Sequence, residues 1–270
     1  MKIKPAGEIL SQEFQNAVDL LKGCVVPIFD VNNRSEPELL GTAVLIRLGA
    51  FVFLCTAKHV IDGNRKSTLY VSGKDVLIKF ECEFQSAVDH DVAVAQLTPE
   101  QIDQLSNFTP LEQSSIASGT QILKSCFIEL VGFPETKNRK VHRQKKIKGQ
   151  IFGFGGTVIE ANDARVCVRF NSKRAIDPQT RQIVKPPDPY GISGGAMFGI
   201  AMNDAAIRGA PGPLLVGIST DRPNGNELFG TNIALVLAII RDAYGIDLPL
   251  HLNPIHIKSR SSAAQSSEGA

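Results

Sequence analysis

The chain has 270 residues, 43% of them hydrophobic and 21% charged, a balance that supports a packed core and sets aside disorder or collagen-like repetition as its general state. Lys and Arg number 29 against 27 Asp and Glu, and a net charge of +2 is too small to imply nucleic acid or a membrane as the partner of the whole chain. Five cysteines, Cys24, Cys55, Cys82, Cys126 and Cys167, form no CxxC and no metal-ligand spacing, so they read as reduced, mostly buried thiols.

In chain order, the first element is amphipathic. Ile9, Leu10, Phe14, Ala17, Val18 and Leu21 recur at spacings of three and four, with Gly23 as a C-cap, which predicts a helix within residues 1–22. The N-terminus has no apolar h-region and no run reaches membrane-spanning length, so the expected location is cytoplasmic. Six β-type runs follow before residue 98: CVVPIFDV, GTAVLIRL, AFVFLCTA, STLYVSG, DVLIKFECEF and DVAVAQL. They predict a barrel or sandwich over 23–112. The polar stretch from Pro99 to Gly119 reads as a connection with a short helical turn.

A second β-rich set spans 113–250: SCFIELVGF, GQIFGFGGTVIEA, RVCVRFN, GAMFGIAM and PLLVGIST. GFGGT, at 153–157, lacks the setting of a phosphate loop and reads as a bulge or bend. ALVLAIIRDAY is a closing helix stopped by Gly245. Residues 251–270, and above all Lys258 to Ala270, are expected to form a disordered tail.

The sharpest local feature is Gly191-Ile192-Ser193-Gly194-Gly195. It fits both a GxSxG nucleophile elbow and a GxSGG loop, but an elbow needs a strand before the serine and a helix after it. Here the three prolines of KPPDPYG precede it and the strand-like AMFGIAM follows, so the elbow is disfavoured. Upstream, Thr56-Ala57-Lys58-His59 closes a strand-like run, and Asp91 heads DVAVAQL. The order His, Asp, Ser is that of chymotrypsin-type enzymes, not of α/β-hydrolases or subtilisins. Asp89 is a rival for the acid, and His90 between them reads as a loop residue.

With these motifs, residues 23 to 245 resemble the trypsin/chymotrypsin serine-protease family, and within it the HtrA-like and other bacterial-type members, without a PDZ domain. TAKHV is similar to the family's T-A-x-H motif, DVAVAQL to its D-I-A-L motif, LVGFP to the opening strand of its second barrel, PYGISGGAMF to its nucleophile loop and LLVGIST to the strand lining its cleft. The resemblance implies an all-β, chymotrypsin-like double antiparallel barrel with His59 and Asp91 on the first half and Ser193 on the second. It implies His59 as general base, Asp91 as its orienting carboxylate and Ser193 as nucleophile, with an oxyanion hole from the N–H groups of Gly191 and Ser193. A serine needs such a base, and the imidazole needs an acceptor that holds its tautomer. Near the implied primary pocket lie Pro187, Asp188, Thr220, Asp221 and Arg222.

Departures from the family carry meaning as well. Where secreted members place a disulfide this chain has Leu40 and Val60, which points to a reducing compartment. Ile192 replaces the aspartate that receives a freed N-terminus, so activation of that kind is not expected. The resulting expectation is a serine endopeptidase acting on protein or peptide substrates without cofactor or metal, open to activation by a protein partner. The competing expectation is a catalytically silent, protease-like scaffold that binds a partner. The basic block Lys137, Arg139, Lys140, Arg143, Lys145, Lys146 and Lys148 reads as a solvated loop or a site for an acidic partner, with no interleaved aromatics for nucleic acid.

Overall fold

In the computed structural model the described residues are 23–31, 36–63, 69–72, 77–117, 125–136, 150–171, 175–176, 183–201, 213–220, 226–248 and 255–261. The expected N-terminal helix, the basic block and Asp221 and Arg222 lie outside them. The chain is mostly β, in two parts.

The first part is a nine-stranded sheet. Its strands are β1 (Val25–Val31), β2 (Pro37–Leu48), β3 (Phe51–Thr56), β4 (Tyr70–Ser72), β5 (Leu77–Lys79), β6 (Glu83–Ala87), β7 (Ala93–Gln96), β8 (Leu111–Glu112) and, from the far end of the chain, β17 (Ile257–Ser261). The order is β17-β6-β7-β3-β2-β1-β4-β5, with β8 parallel to β2. The run DVLIKFECEF, read above as one strand, is two: β5 returns to β4, and Phe80 N–H donates to Leu69 O at 2.8 Å before β6 begins. Among the described residues this sheet does not close on itself. The edge of β6 that closure would use is taken by β17, through five register pairs from Ile257↔Ala87 to Ser261↔Glu83. The expected disordered tail is therefore a strand at its start. Ile255 and Ile257 pack against the core, and that apolar contact outweighs the polar composition that follows.

Val26, Ile28, Ala43, Leu45, Val52, Leu54, Val60, Ala93 and Ala95 pack into a core of the first part alone. Their neighbours Val25, Val44, Ile46, Phe53, Cys55 and Val94 belong to a second core shared with the rest of the molecule. Strands β1, β2, β3 and β7 are thus buried on both faces. That explains why VVPIF, AVLI and FVFLC are continuous apolar runs instead of alternating ones.

The second part is a closed six-stranded barrel, β10-β11-β16-β15-β14-β9. It is built from β9 (Ser125–Gly132), β10 (Phe152–Ala161), β11 (Arg165–Arg169), β14 (Ala196–Ala201), β15 (Leu214–Ser219) and β16 (Glu227–Asn232). The short pair β12 (Ala175–Ile176) and β13 (Ile183–Val184) stands apart. GFGGT is not a bulge: residues 152–157 pair in unbroken register with β9, and the shift falls later, between Val158 and Glu160. Strand β16 was not anticipated, because ELFGTN has only two large apolar residues, yet Leu228 to Asn232 are all buried.

Three helices are described: α1 (Lys58–Gly63), α2 (Pro99–Gln104) and α3 (Ile233–Tyr244). Thr98 and Gln101 form a reciprocal capping box around Pro99, so α2 is the helical turn expected in the connection. In α3, Asn232 Oδ1 accepts the Ala234 N–H at 2.9 Å, and Gly245 ends the helix at φ +68° with its N–H on Arg241 O. Ile233 to Ile240 are buried without exception, because α3 lies against β15 and β16 of the barrel and β6 and β7 of the sheet. Each large aliphatic side chain buried there contributes about 1.5–3 kcal/mol. At the far end the Tyr244 hydroxyl donates to Val94 O at 3.1 Å and accepts Gln96 N–H at 3.3 Å, tying α3 to the strand that begins just after Asp91.

Candidate functional site

His59 is the second residue of α1, which starts where β3 ends. The first turn of a helix leaves backbone N–H groups without intrahelical acceptors. Asp91, in the turn between β6 and β7, supplies one: its Oδ1 accepts the His59 backbone N–H at 2.9 Å. Its Oδ2 lies 2.6 Å from His59 Nδ1. One carboxylate therefore seats the helix and orients the ring. Burial pushes the Asp91 carboxyl up, but hydrogen bonds from the His59 ring and backbone, the His59 charge and the Lys58 backbone together hold it below the ordinary aspartate value. An ionised carboxylate only accepts, so His59 Nδ1 donates to it, and whenever the ring is neutral its lone pair stands on Nε2. The rival Asp89 is exposed, and His90 is half-buried between the two acids.

Ser193 sits in the turn that leads into β14. Gly191 has φ +91° and Gly194 φ +86°, both in the left-handed region that favours glycine. At Gly194 a Cβ would also overlap the Thr42 carbonyl oxygen and the Thr56 hydroxyl, so the loop can lie flat on β2 only with glycine there.

The loop is tied down one peptide at a time. Tyr190 O accepts Glu135 N–H at 2.8 Å, and Ile192 O accepts Gly195 N–H at 2.8 Å. Thr42 holds the other two: Gly191 O accepts its Oγ1–H at 3.0 Å, and Ser193 O accepts its backbone N–H at 2.8 Å. In a trans peptide the N–H points opposite to the C=O. Anchoring Tyr190 O and Ile192 O therefore fixes where Gly191 N–H and Ser193 N–H point, and among the described residues neither N–H is taken by an acceptor. Two oriented, available donors beside a serine are what a developing oxyanion requires. Sequence reading singled out neither Thr42 nor Glu135: a threonine in a strand and a glutamate after a strand carry no signal of their own.

The sheet and the barrel meet here. Gly41, on β2, is wedged between the Val60 side chain of α1 and Ser193 O, so the loop that carries Ser193 lies close to the helix that carries His59. The Ser193 hydroxyl donates to Thr220 O at 3.0 Å. Thr220 is buried at the end of β15, its N–H on Phe229 O at 2.9 Å. Asp188 is exposed and its Oδ1 accepts the Tyr190 N–H at 3.1 Å, shaping the approach to the loop; Pro187 beside it is half-buried, and Tyr190 is 69% exposed at the rim. Ile192 is buried at 3% exposure, its side chain against Gly132.

Three of the thiols are held protonated. Burial pushes the Cys24 thiol up to about 12, raises Cys55 further and, helped by Glu227, raises Cys167. Cys24, Cys55, Cys82 and Cys167 are all thiols. Among the described residues there is no cluster of three or more His, Cys, Asp or Glu suited to a metal, and no helix is long and apolar enough to cross a membrane. In comparisons with known proteins, the chain matches no family model and no curated protein.

Proposed function

We propose that the chain is a serine endopeptidase of the trypsin/chymotrypsin type, cleaving protein or peptide substrates through an acyl-enzyme on Ser193. The observation that carries this reading is the nucleophile loop, whose four consecutive carbonyls from Tyr190 to Ser193 are all anchored while the N–H groups of Gly191 and Ser193 stay available. The His59–Asp91 pair on the neighbouring sheet supports it, as does an all-β chain with a closed six-stranded antiparallel barrel beside a second sheet.

The steps follow from the chemistry of these groups. The Ser193 hydroxyl leaves Thr220 O, gives its proton to His59 Nε2 and adds to the scissile carbonyl. Gly191 and Ser193 N–H receive the oxyanion while Asp91 stabilises the imidazolium. His59 passes the proton to the leaving amine, and water activated by the same imidazole releases the acid. The resemblance assigns Asp188, Thr220 and Asp221 to the entry for the substrate side chain; of these, Asp221 lies outside the described residues. Buried thiols and the Leu40 and Val60 pair, where secreted relatives would be bridged, fit a cytoplasmic setting.

A second reading is a protease-like scaffold that binds a protein partner without catalysis. It is favoured by one observation, the Ser193 hydroxyl donating to Thr220 O. Labelling by a fluorophosphonate, read by intact mass, separates the two: the wild-type chain gains one adduct, and Ser193→Ala and His59→Ala do not. A folded wild type that gains no adduct overturns the protease reading and leaves the scaffold.

A further inference from the structure

We infer that Thr42 is the positioning residue of the nucleophile loop, acting through its hydroxyl to hold the oxyanion donors in register; the inference rests on the hydrolase reading above. Thr42 lies on β2, in the sheet that carries the base, with 0% exposure. Each of its polar groups is engaged. Its N–H donates to Ser193 O at 2.8 Å and its Oγ1–H to Gly191 O at 3.0 Å. Oγ1 also accepts Phe133 N–H at 3.0 Å, and its carbonyl accepts the Thr56 hydroxyl at 2.7 Å.

The peptide that presents Ser193 N–H lies between the two whose carbonyls Thr42 holds. If either outer peptide turns, the φ and ψ angles of Ile192 and Ser193 must compensate, and the N–H swings away from the oxyanion position. The backbone bond to Ser193 O is available to any residue but proline. The bond to Gly191 O, and the simultaneous acceptance of Phe133 N–H, require a side-chain hydroxyl at this position. Phe133 is two residues from Glu135, whose N–H fixes Tyr190 O and with it the Gly191 N–H. One hydroxyl therefore bears on both donors of the hole, directly through Gly191 and through the segment 133–135. Without it, Gly191 O and Phe133 N–H are left buried and unpaired, and the loop relaxes to satisfy them.

The test compares T42V, which keeps the shape and removes the hydroxyl, with T42S, which keeps the hydroxyl and removes the methyl. Fluorophosphonate labelling and hydrolysis of p-nitrophenyl acetate are measured on chains shown to be folded by circular dichroism. T42V is expected to label and turn over about 10- to 100-fold more slowly with KM unchanged, since an oxyanion donor is displaced and not deleted. T42S is expected to stay within about threefold of wild type. Amide chemical shifts and exchange of residues 190–195 give a readout independent of activity: they move in T42V and not in T42S. Should T42V not fold, T42A carries the same expectations. Unchanged rates and unchanged 190–195 amides in the folded variant overturn the inference, and so does an equal loss in T42V and T42S, which would assign the effect to the methyl. If wild type itself neither labels nor turns over, the hydrolase reading fails, and the amide shifts alone decide whether Thr42 holds the loop.

Discussion

Glu129 offers the most direct physical test of the packing. It lies in the middle of β9, paired to Gly155 on one side and Phe198 on the other, with 0% exposure and neither carboxyl oxygen hydrogen-bonded. Burial raises its carboxyl well above the ordinary glutamate value. The folded chain then holds a proton that the unfolded chain gives up near the ordinary value. Stability from this group is complete below the unfolded pKa and falls as pH rises toward the folded one, by about 1.4 kcal/mol per pH unit for one proton. For a chain of this size that is roughly 3–6 °C of Tm per pH unit. Glu129→Gln keeps the shape and removes the titration. Thermal unfolding of both proteins at constant ionic strength, from pH 5 to 7.5, is expected to show the smallest Tm difference at the acid end. The variant then gains on wild type by that amount per unit until the folded carboxyl ionises. Other titrating groups cancel in the difference. Parallel Tm curves would refute the reasoning, because they would mean that Glu129 is already ionised in the fold or has found a partner.

Three further outcomes follow from other elements. Asp91→Asn should fold and lose about four orders of magnitude in rate, since an amide at that place favours the wrong imidazole tautomer; retained turnover would remove Asp91 from the acid role. Because the wild-type carboxyl is held below its usual value, the acid limb of the rate profile should not report Asp91. Ending the chain at Pro254 removes β17 and uncovers the outer edge of β6, and is expected to lower Tm and speed amide exchange in 83–91 more than in the barrel; uniform exchange throughout would show that β17 carries no local load.

Much of this architecture could be read from residue patterns, and the exceptions have physical reasons. Most strands were visible because β1, β2, β3 and β7 are buried on both faces and so stand out as apolar runs. Helix α3 was visible from its apolar span and its glycine stop. Strand β16 escaped because its burial is achieved with Gly230, Thr231 and Asn232, which resemble turn residues in isolation. Strand β17 escaped because its pairing with β6 joins positions far apart in the chain. At the site, His59, Asp91 and Ser193 were legible as motifs, since each sits in a short segment with its own signature. Thr42 was not, because its bond to Gly191 O spans 149 positions and nothing local marks it. Glu129 does carry a signal in the sequence: it is a lone acid inside the apolar run FIELVGF.

The double duty of Asp91 bears on how such a chain can change over time. One carboxylate seats the start of α1 through the His59 N–H and holds the His59 ring. Selection for an intact helix would therefore retain this acid even in a descendant that had given up hydrolysis, and the histidine–aspartate contact would outlive the activity. In the turn from Tyr190 to Gly195 the carbonyls and Gly194 hold the loop to the sheet, whereas the amides of Gly191 and Ser193 have no such employment among the described residues; on the hydrolase reading, a lineage drifting from enzyme to scaffold would lose the orientation of these two amides first.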